Sequence, residues 1–200
     1  MLTEKGKMLQ GLPYQAGDPE LVRERMLAKR KCFDYNAIHP DQFDSGKEII
    51  RGLFGATGAA FHIEPMLKVD YGYNISIGEN FYANYNLVVL DCAPVTIGDN
   101  VFIAPNVCIS TAGHPVHYSP RIAGFEYAFP ISIGHNVWIG ANVVINPGVT
   151  IGENTVIGSG AVVTRDIPPN VVAVGTPCRV IKEITDADRE YYSGKMKFPL

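Results

Sequence analysis

The chain has 200 residues, 46% of them hydrophobic, with a formal net charge of −3. That length supports one well-cored domain plus a small appendage. The balance of charge and apolar content argues against a nucleic-acid partner or a disordered tail. No window approaches the ~20 consecutive apolar residues of a membrane span. The charged opening MLTEKGKMLQ lacks the apolar stretch of a signal peptide. Cys32, Cys92, Cys108 and Cys178 are scattered, with no CxxC, so reduced thiols in a cytoplasmic protein are the expectation.

The first 60 residues read as a helical cap. Thr3 is placed to cap a short helix. Asp18-Pro19-Glu20 combines an N-cap oxygen, a proline at the first helical position and an early acid. A helix is expected from there to about Asn36, burying Leu21, Ala28, Cys32 and Tyr35 on one face. Asp44 or Ser45 is expected to cap a second helix that buries Ile49, Ile50, Leu53 and Phe54. Arg23, Arg25, Lys29 and Lys31 read as a solvated face.

From about Val69 the chain takes up a six-residue period. Ile133, Ile139, Ile145, Ile151, Ile157 and Val163 follow one another at six-residue steps, and Ile97, Ile103 and Ile109 do so earlier. Two residues before each stands a small or β-branched residue, as at Val101, Val137, Val143 and Ala161. Positions two apart on a strand share a face, so Val137 and Ile139 are expected inside and Trp138 outside. Glycine after the aliphatic, as at Gly98, Gly134, Gly140 and Gly152, is expected to turn the chain. Three such hexapeptides make one triangular coil, and no coil buries its inward face unless others stack on it. The expected domain spans residues 61–184, with a tail at 185–200.

Two breaks interrupt the period. Two extra residues fall around Asp91-Cys92, and the repeat stops between Thr111 and Pro130. The second stretch carries Gly113-His114-Pro115 and reads as an excursion from a rigid scaffold, where function often sits.

The repeats with this interrupting Gly-His-Pro loop resemble the hexapeptide-repeat acyltransferases, and more closely their galactoside and maltose O-acetyltransferase branch. The matching stretches are DYGYNISIGENFYANYN (70–86), IGDNVFIAPNV (97–107), TAGHPVH (111–117), NVWIGANVVINPGVTIG (136–152) and VVTRDIPPNVVAVGTPCRV (162–180). The resemblance implies a mainly β fold, a left-handed parallel β-helix under a helical cap, assembled as a homotrimer with active sites between subunits. It implies transfer of an acetyl group from acetyl-CoA to a sugar hydroxyl, with no metal required because the thioester is already activated.

In this reading His114 is the catalytic base: a neutral imidazole, with an ordinary pKa of ~6.5, suits removal of a hydroxyl proton. Its orientation needs an acceptor, which the far end of the loop near Glu126 can supply. His117 reads as a secondary site residue or a loop brace. Asn84, Asp70 and Asp91 fall at acceptor-binding positions, although aspartate at 91 also suits a turn brace. Tyr71, Tyr73, Phe81 and Tyr82 suit either a sugar platform or packing beneath the helices. Gly140, Ala141, Ser159 and Gly160 are small residues for the pantetheine arm of CoA, with a backbone oxyanion donor near Ala141. Thr164, Arg165 and Arg179 are implied contacts for CoA, Arg165 for its phosphate.

The chain departs from galactoside enzymes by Ala141, where serine is common, and by Ala16, where an aspartate stands, so the acceptor stays open. An antibiotic hydroxyl or an amine is the alternative acceptor. A zinc hydratase on the same fold would need three converging histidines, and a scaffold that had lost its chemistry would have no need of His114, Asn84 and Thr164-Arg165.

Overall fold

The computed structural model describes residues 2–194 and 196–199. Three helices form the front: α1 (Glu4–Leu9), α2 (Pro19–Asn36) and α3 (Phe43–Leu53). Thr3 Oγ1 caps α1 through Gly6 N (3.0 Å), and Asp18 Oδ1 caps α2 through Glu20 N (2.9 Å) with Pro19 in its first turn. Leu21, Ala28, Cys32 and Tyr35 are the buried face of α2. The α3 boundary departs from expectation. It begins at Phe43 without a side-chain cap, so Asp44 and Ser45 lie inside its first turn. Ile50, Leu53 and Phe54 are nevertheless buried, and Ile49 packs against the same core.

A parallel solenoid of about six turns follows. Face one stacks Ala56–Thr57, Ile75–Ile77, Val95–Ile97, Ile131–Ile133 and Thr150–Ile151. Face two stacks Phe61–Ile63, Phe81–Ala83, Phe102–Ile103, Trp138–Ile139, Val156–Ile157 and Val171–Val174, closed by the antiparallel Arg179–Glu183. Face three stacks Lys68–Val69, Val88–Leu90, Cys108–Ser110, Val144–Ile145 and Val162–Val163. The chain visits the faces in the order one, two, three, so each face lies one sequence step from the next. Past the solenoid, Tyr191–Ser193 and Met196–Lys197 form a small hairpin.

The register explains the period. Ile139 pairs with Ile103 and Ile157, and Ile145 with Ile109 and Val163, so like positions stand on like positions along the axis. Val137, Ile139, Val143 and Ile145 are fully buried while Trp138 is 54% exposed, as alternation requires. Phe54 and Ile50 join this same core, so α2 and α3 close its first end.

The corners differ from the expectation. The glycines after the aliphatics do not take the turning conformation; asparagines two positions later do. Asn80, Asn100, Asn136, Asn154 and Asn170 all have φ between 55° and 59° on the edge between faces one and two. Their amides form a ladder, each donating to the next at 2.9–3.0 Å. Asparagine tolerates the left-handed region and adds a side-chain bond there. The glycines are needed for close stacking instead. A Cβ at Gly134 would stand 2.6 Å from Glu153 N, and one at Gly140 2.6 Å from Ser159 N.

The ladder gives a graded test. Asn136→Gly keeps access to positive φ and loses two amide bonds, whereas Asn136→Ala loses both advantages, the strain alone costing about 1–2 kcal/mol. Thermal denaturation should rank wild type above Asn136→Gly, and Asn136→Gly above Asn136→Ala.

Candidate active site

The edge between faces three and one is where the solenoid departs from its period, and it does so in successive turns. The chain widens at 70–74, again at 91–94, and then leaves altogether from 111 to 130 before rejoining face one at Ile131. Two buried polar side chains root these departures. Thr111 Oγ1 donates to Leu90 O (2.7 Å) and accepts from Ala93 N (2.9 Å). Asp91, with no exposed surface, accepts from Asp70 N (3.1 Å), Tyr71 N (2.8 Å) and Asn74 N (3.3 Å). Burial raises its carboxyl to about 7, against the opposing pull of backbone N–H groups. The geometry of Asp91 is that of the turn brace, since the amides of its own edge occupy its carboxylate.

The 111–130 stretch is more ordered than a bare loop. Ala112–Gly113 pairs antiparallel with Phe125–Ala128, with Gly113 opposite Tyr127. A Cβ on Gly113 would lie 2.5 Å from the Tyr127 ring, which accounts for glycine before the histidine. The short α4 (Tyr118–Ile122) is capped by His117, whose Nδ1 accepts from Ser119 N at 3.2 Å. Arg121 Nη1 binds the carbonyls of Pro115 and Val116 at 3.0 Å. His117 thus braces the loop.

His114 projects from this framework with its side chain 59% exposed. Glu126 Oε1 lies 3.8 Å from its Nε2, close enough for an ion pair once the ring is protonated. The far end of the loop thus places a carboxylate, Glu126, beside the ring. Asp70 shares this edge; burial raises its carboxyl, and its Oδ2 accepts from Cys92 Sγ at 3.5 Å. Tyr71 and Tyr73 pack beneath the helices, bonding Arg25 and Glu24 at 2.7 Å each, and Phe81 is in the core. Tyr82 stays on the outer side of face two, between His62 and Phe102.

Asn84 lies on a different edge, between faces two and three. Its N–H donates to Ile103 O, and Ala104, Gly140 and Gly158 repeat that bond in the following turns. Asn84 Oδ1 accepts from Tyr85 N (2.7 Å). Ala141, Ser159 and Gly160 stand at this same edge, with Gly160 N donating to Ala141 O (2.8 Å). Nothing lies within 4 Å of a Cβ built on Gly160, so the corner faces open space at that position. Ala141 N donates to Ser159 Oγ at 3.2 Å, which engages the backbone donor expected for an oxyanion. Thr164 and Arg165 follow Val163 and so lie on the His114 edge, both exposed. Arg179 Nη1 donates to Cys178 O (2.7 Å). Within one chain, face three therefore separates His114, Asp70, Asp91, Thr164 and Arg165 from Asn84 and the small residues.

Sequence reasoning missed the front of the chain at this site. Tyr14–Gln15 is a strand paired antiparallel with Phe125–Ala128, Tyr14 standing opposite Glu126. The Tyr14 hydroxyl donates to Glu126 Oε2 at 2.8 Å. A tyrosine between two helices carries no periodicity that could have marked it, and its partner lies 112 residues away.

Comparisons with known proteins identify the family. Residues 7–58 match the maltose acetyltransferase hexapeptide capping motif, and residues 130–165 match the bacterial transferase hexapeptide (six repeats). The galactoside O-acetyltransferase of Escherichia coli (strain K12) is 54% identical over 172 residues, covering 86% of this chain and 85% of that protein. A solved galactoside acetyltransferase in complex with coenzyme A superposes with a TM-score of 0.96 at 48% identity, over all of both chains. A maltose O-acetyltransferase from Clostridium difficile 630 gives 0.91 at 52% identity, over 92% of this chain and 99% of that one. On the strength of sequence, fold and coverage, the chain belongs to the hexapeptide-repeat acyltransferase family, in its galactoside and maltose O-acetyltransferase branch.

Proposed function

We propose that the protein transfers the acetyl group of acetyl-CoA directly to a hydroxyl of a sugar of the galactoside, maltose or glucose type, with His114 as general base. The observation that carries the reading is the exposed imidazole of His114 facing the Glu126 carboxylate on a loop held by the cap. His114 takes the proton of the acceptor hydroxyl as its oxygen attacks the thioester carbonyl. The tetrahedral intermediate then collapses, the C–S bond breaks, and the imidazolium returns its proton to the CoA sulfur. Glu126 favours the imidazolium formed between those two steps by charge.

Gly140, Ala141, Ser159 and Gly160 form the edge along which the pantetheine arm would lie, with Thr164, Arg165 and Arg179 toward the phosphates. Asn84 and Asp70 contact the acceptor in this scheme, and Asp91 acts through the turn that it holds. An amine or an antibiotic hydroxyl remains the second acceptor class, and the loss of the family's aspartate at Ala16 is what keeps it open.

The site is assembled between subunits of a homotrimer. Two observations support this. Asn84 and His114 lie on different edges of one prism, so a face of a neighbouring copy brings the two sets together. Face two also carries an outward ladder of His62, Tyr82, Phe102, Trp138 and Val156 in register, with Phe102 and Trp138 52% and 54% exposed. Such a contiguous apolar strip is the kind of surface that a symmetric assembly covers.

Replacing His114 by alanine should lower turnover by about 10²–10⁴ while leaving acetyl-CoA binding intact. Thiol release measured against galactosides, maltose, glucose and chloramphenicol identifies the acceptor class, and turnover of His114→Ala within a few-fold of wild type would overturn the base assignment. The doubly charged Phe102→Glu/Trp138→Glu variant should sediment as a 21.8 kDa monomer and lose activity; an unchanged trimer would remove face two from the interface.

A further inference from the structure

The helical front of the chain does more than close the end of the core. Between α1 and α2 it sends Tyr14–Gln15 across to the return arm of the His114 loop, making a third strand beside Phe125–Ala128 and Ala112–Gly113. Tyr14 is fully buried among Met8, Leu21, Tyr71, Cys92, Ala93 and Ala128. Its hydroxyl nonetheless reaches a carboxylate of the candidate site, at 2.8 Å from Glu126 Oε2.

The two oxygens of Glu126 are therefore divided. Oε2 is held by a buried phenol, and Oε1 is left facing His114 Nε2 at 3.8 Å. On the other side of Tyr14 lies Cys92, buried in the same cluster and donating to Asp70 Oδ2 at 3.5 Å. Two polar pairs thus lie at an otherwise apolar cluster: Cys92 with Asp70, and Tyr14 with the Glu126 that faces His114. Burial, with the neighbouring Cys92 and Glu126, pushes the Tyr14 phenol far above its ordinary range, so it stays protonated and remains a donor.

Resting on the assignment of His114 as base, we propose that Tyr14 is a positioning residue: it fixes the Glu126 carboxylate in the rotamer that presents its free oxygen to the imidazole. Without the phenol, Glu126 can rotate toward solvent, because its side chain is only partly buried. The imidazolium then loses its fixed counter-charge in the transition state. Misplacement of a supporting group by about 1 Å is enough to cost on the order of 10²-fold. The cap is in this view part of the catalytic apparatus, delivered in sequence a hundred residues before the loop it serves.

Tyr14→Phe keeps the ring that fills the cluster and removes only the hydroxyl. The proposal expects kcat to fall about 10-fold or more with KM for acetyl-CoA unchanged. It further expects the double variant Tyr14→Phe/Glu126→Gln to be no slower than Glu126→Gln alone, since both changes remove one interaction. A Tyr14→Phe enzyme with kcat within twofold of wild type, beside an inactive His114→Ala, would overturn the proposal and leave the base assignment standing. Losses that simply multiply in the double variant would assign Tyr14 a packing role and overturn it as well. An active His114→Ala enzyme would overturn both readings at once.

Discussion

Everything in this molecule depends on the in-register superposition of successive turns. Parallel strands lie ~4.8 Å apart, so each inward aliphatic rests on its counterpart above and below. The core is then a column of equivalent positions, not a set of individually fitted contacts. Ile103, Ile139 and Ile157 are one such column, and Ile109, Ile145 and Val163 another. The same spacing governs the corners. A corner must leave room for the next one, which excludes a Cβ at Gly134 and Gly140, and it must turn, which falls to the asparagines. Because no turn buries its own faces, the first turn needs α2 and α3 as a lid.

The proposed chemistry sits where that constraint is released. Two edges keep the period and form regular corners, while the third widens at 70–74 and 91–94 and opens into the 111–130 excursion. The room that these departures leave is filled by Tyr71, Cys92, Ala93 and Ala128 together with Tyr14 from the cap. Asp91 and Thr111 fix the departing backbone by satisfying its N–H and C=O groups. His114 stands on the longest departure, and its support comes from a small antiparallel sheet unrelated to the parallel stack.

The edge that carries Gly140, Ala141, Ser159 and Gly160 keeps the period. Under the proposed function an extended pantetheine arm would run along these stacked corners. In the proposed scheme each edge carries part of both the acceptor and the CoA sets, since Asn84 stands with the small residues while Thr164 and Arg165 stand with His114. A direct transfer needs the two edges brought together, which ties the proposed chemistry to association of subunits across face two.

How much of this was legible in the chain depended on whether the signal was periodic. The six-residue step, the alternation at Val137, Trp138 and Ile139, and the caps at Thr3 and Asp18 are local patterns, and each appears in the structure as read. The start of α3 differs from the expectation because no side chain caps it, although Asp44 and Ser45 are residue types that cap helices. The corners were misread because glycine serves turning and close stacking equally well in sequence, and only the distance to the next turn tells them apart.

The sequence by itself determined the repeat, the inward columns, the helical cap and the position of the His114 loop, because these rest on spacing between residues near one another in the chain. Tertiary structure alone decided that Asn84 and His114 lie on different edges, that Asp91 is consumed by backbone amides, and that Tyr14 meets Glu126. Those relations join residues far apart in sequence or turn on which side of a prism a corner falls. Local spacing carries no information about either until the turns are stacked.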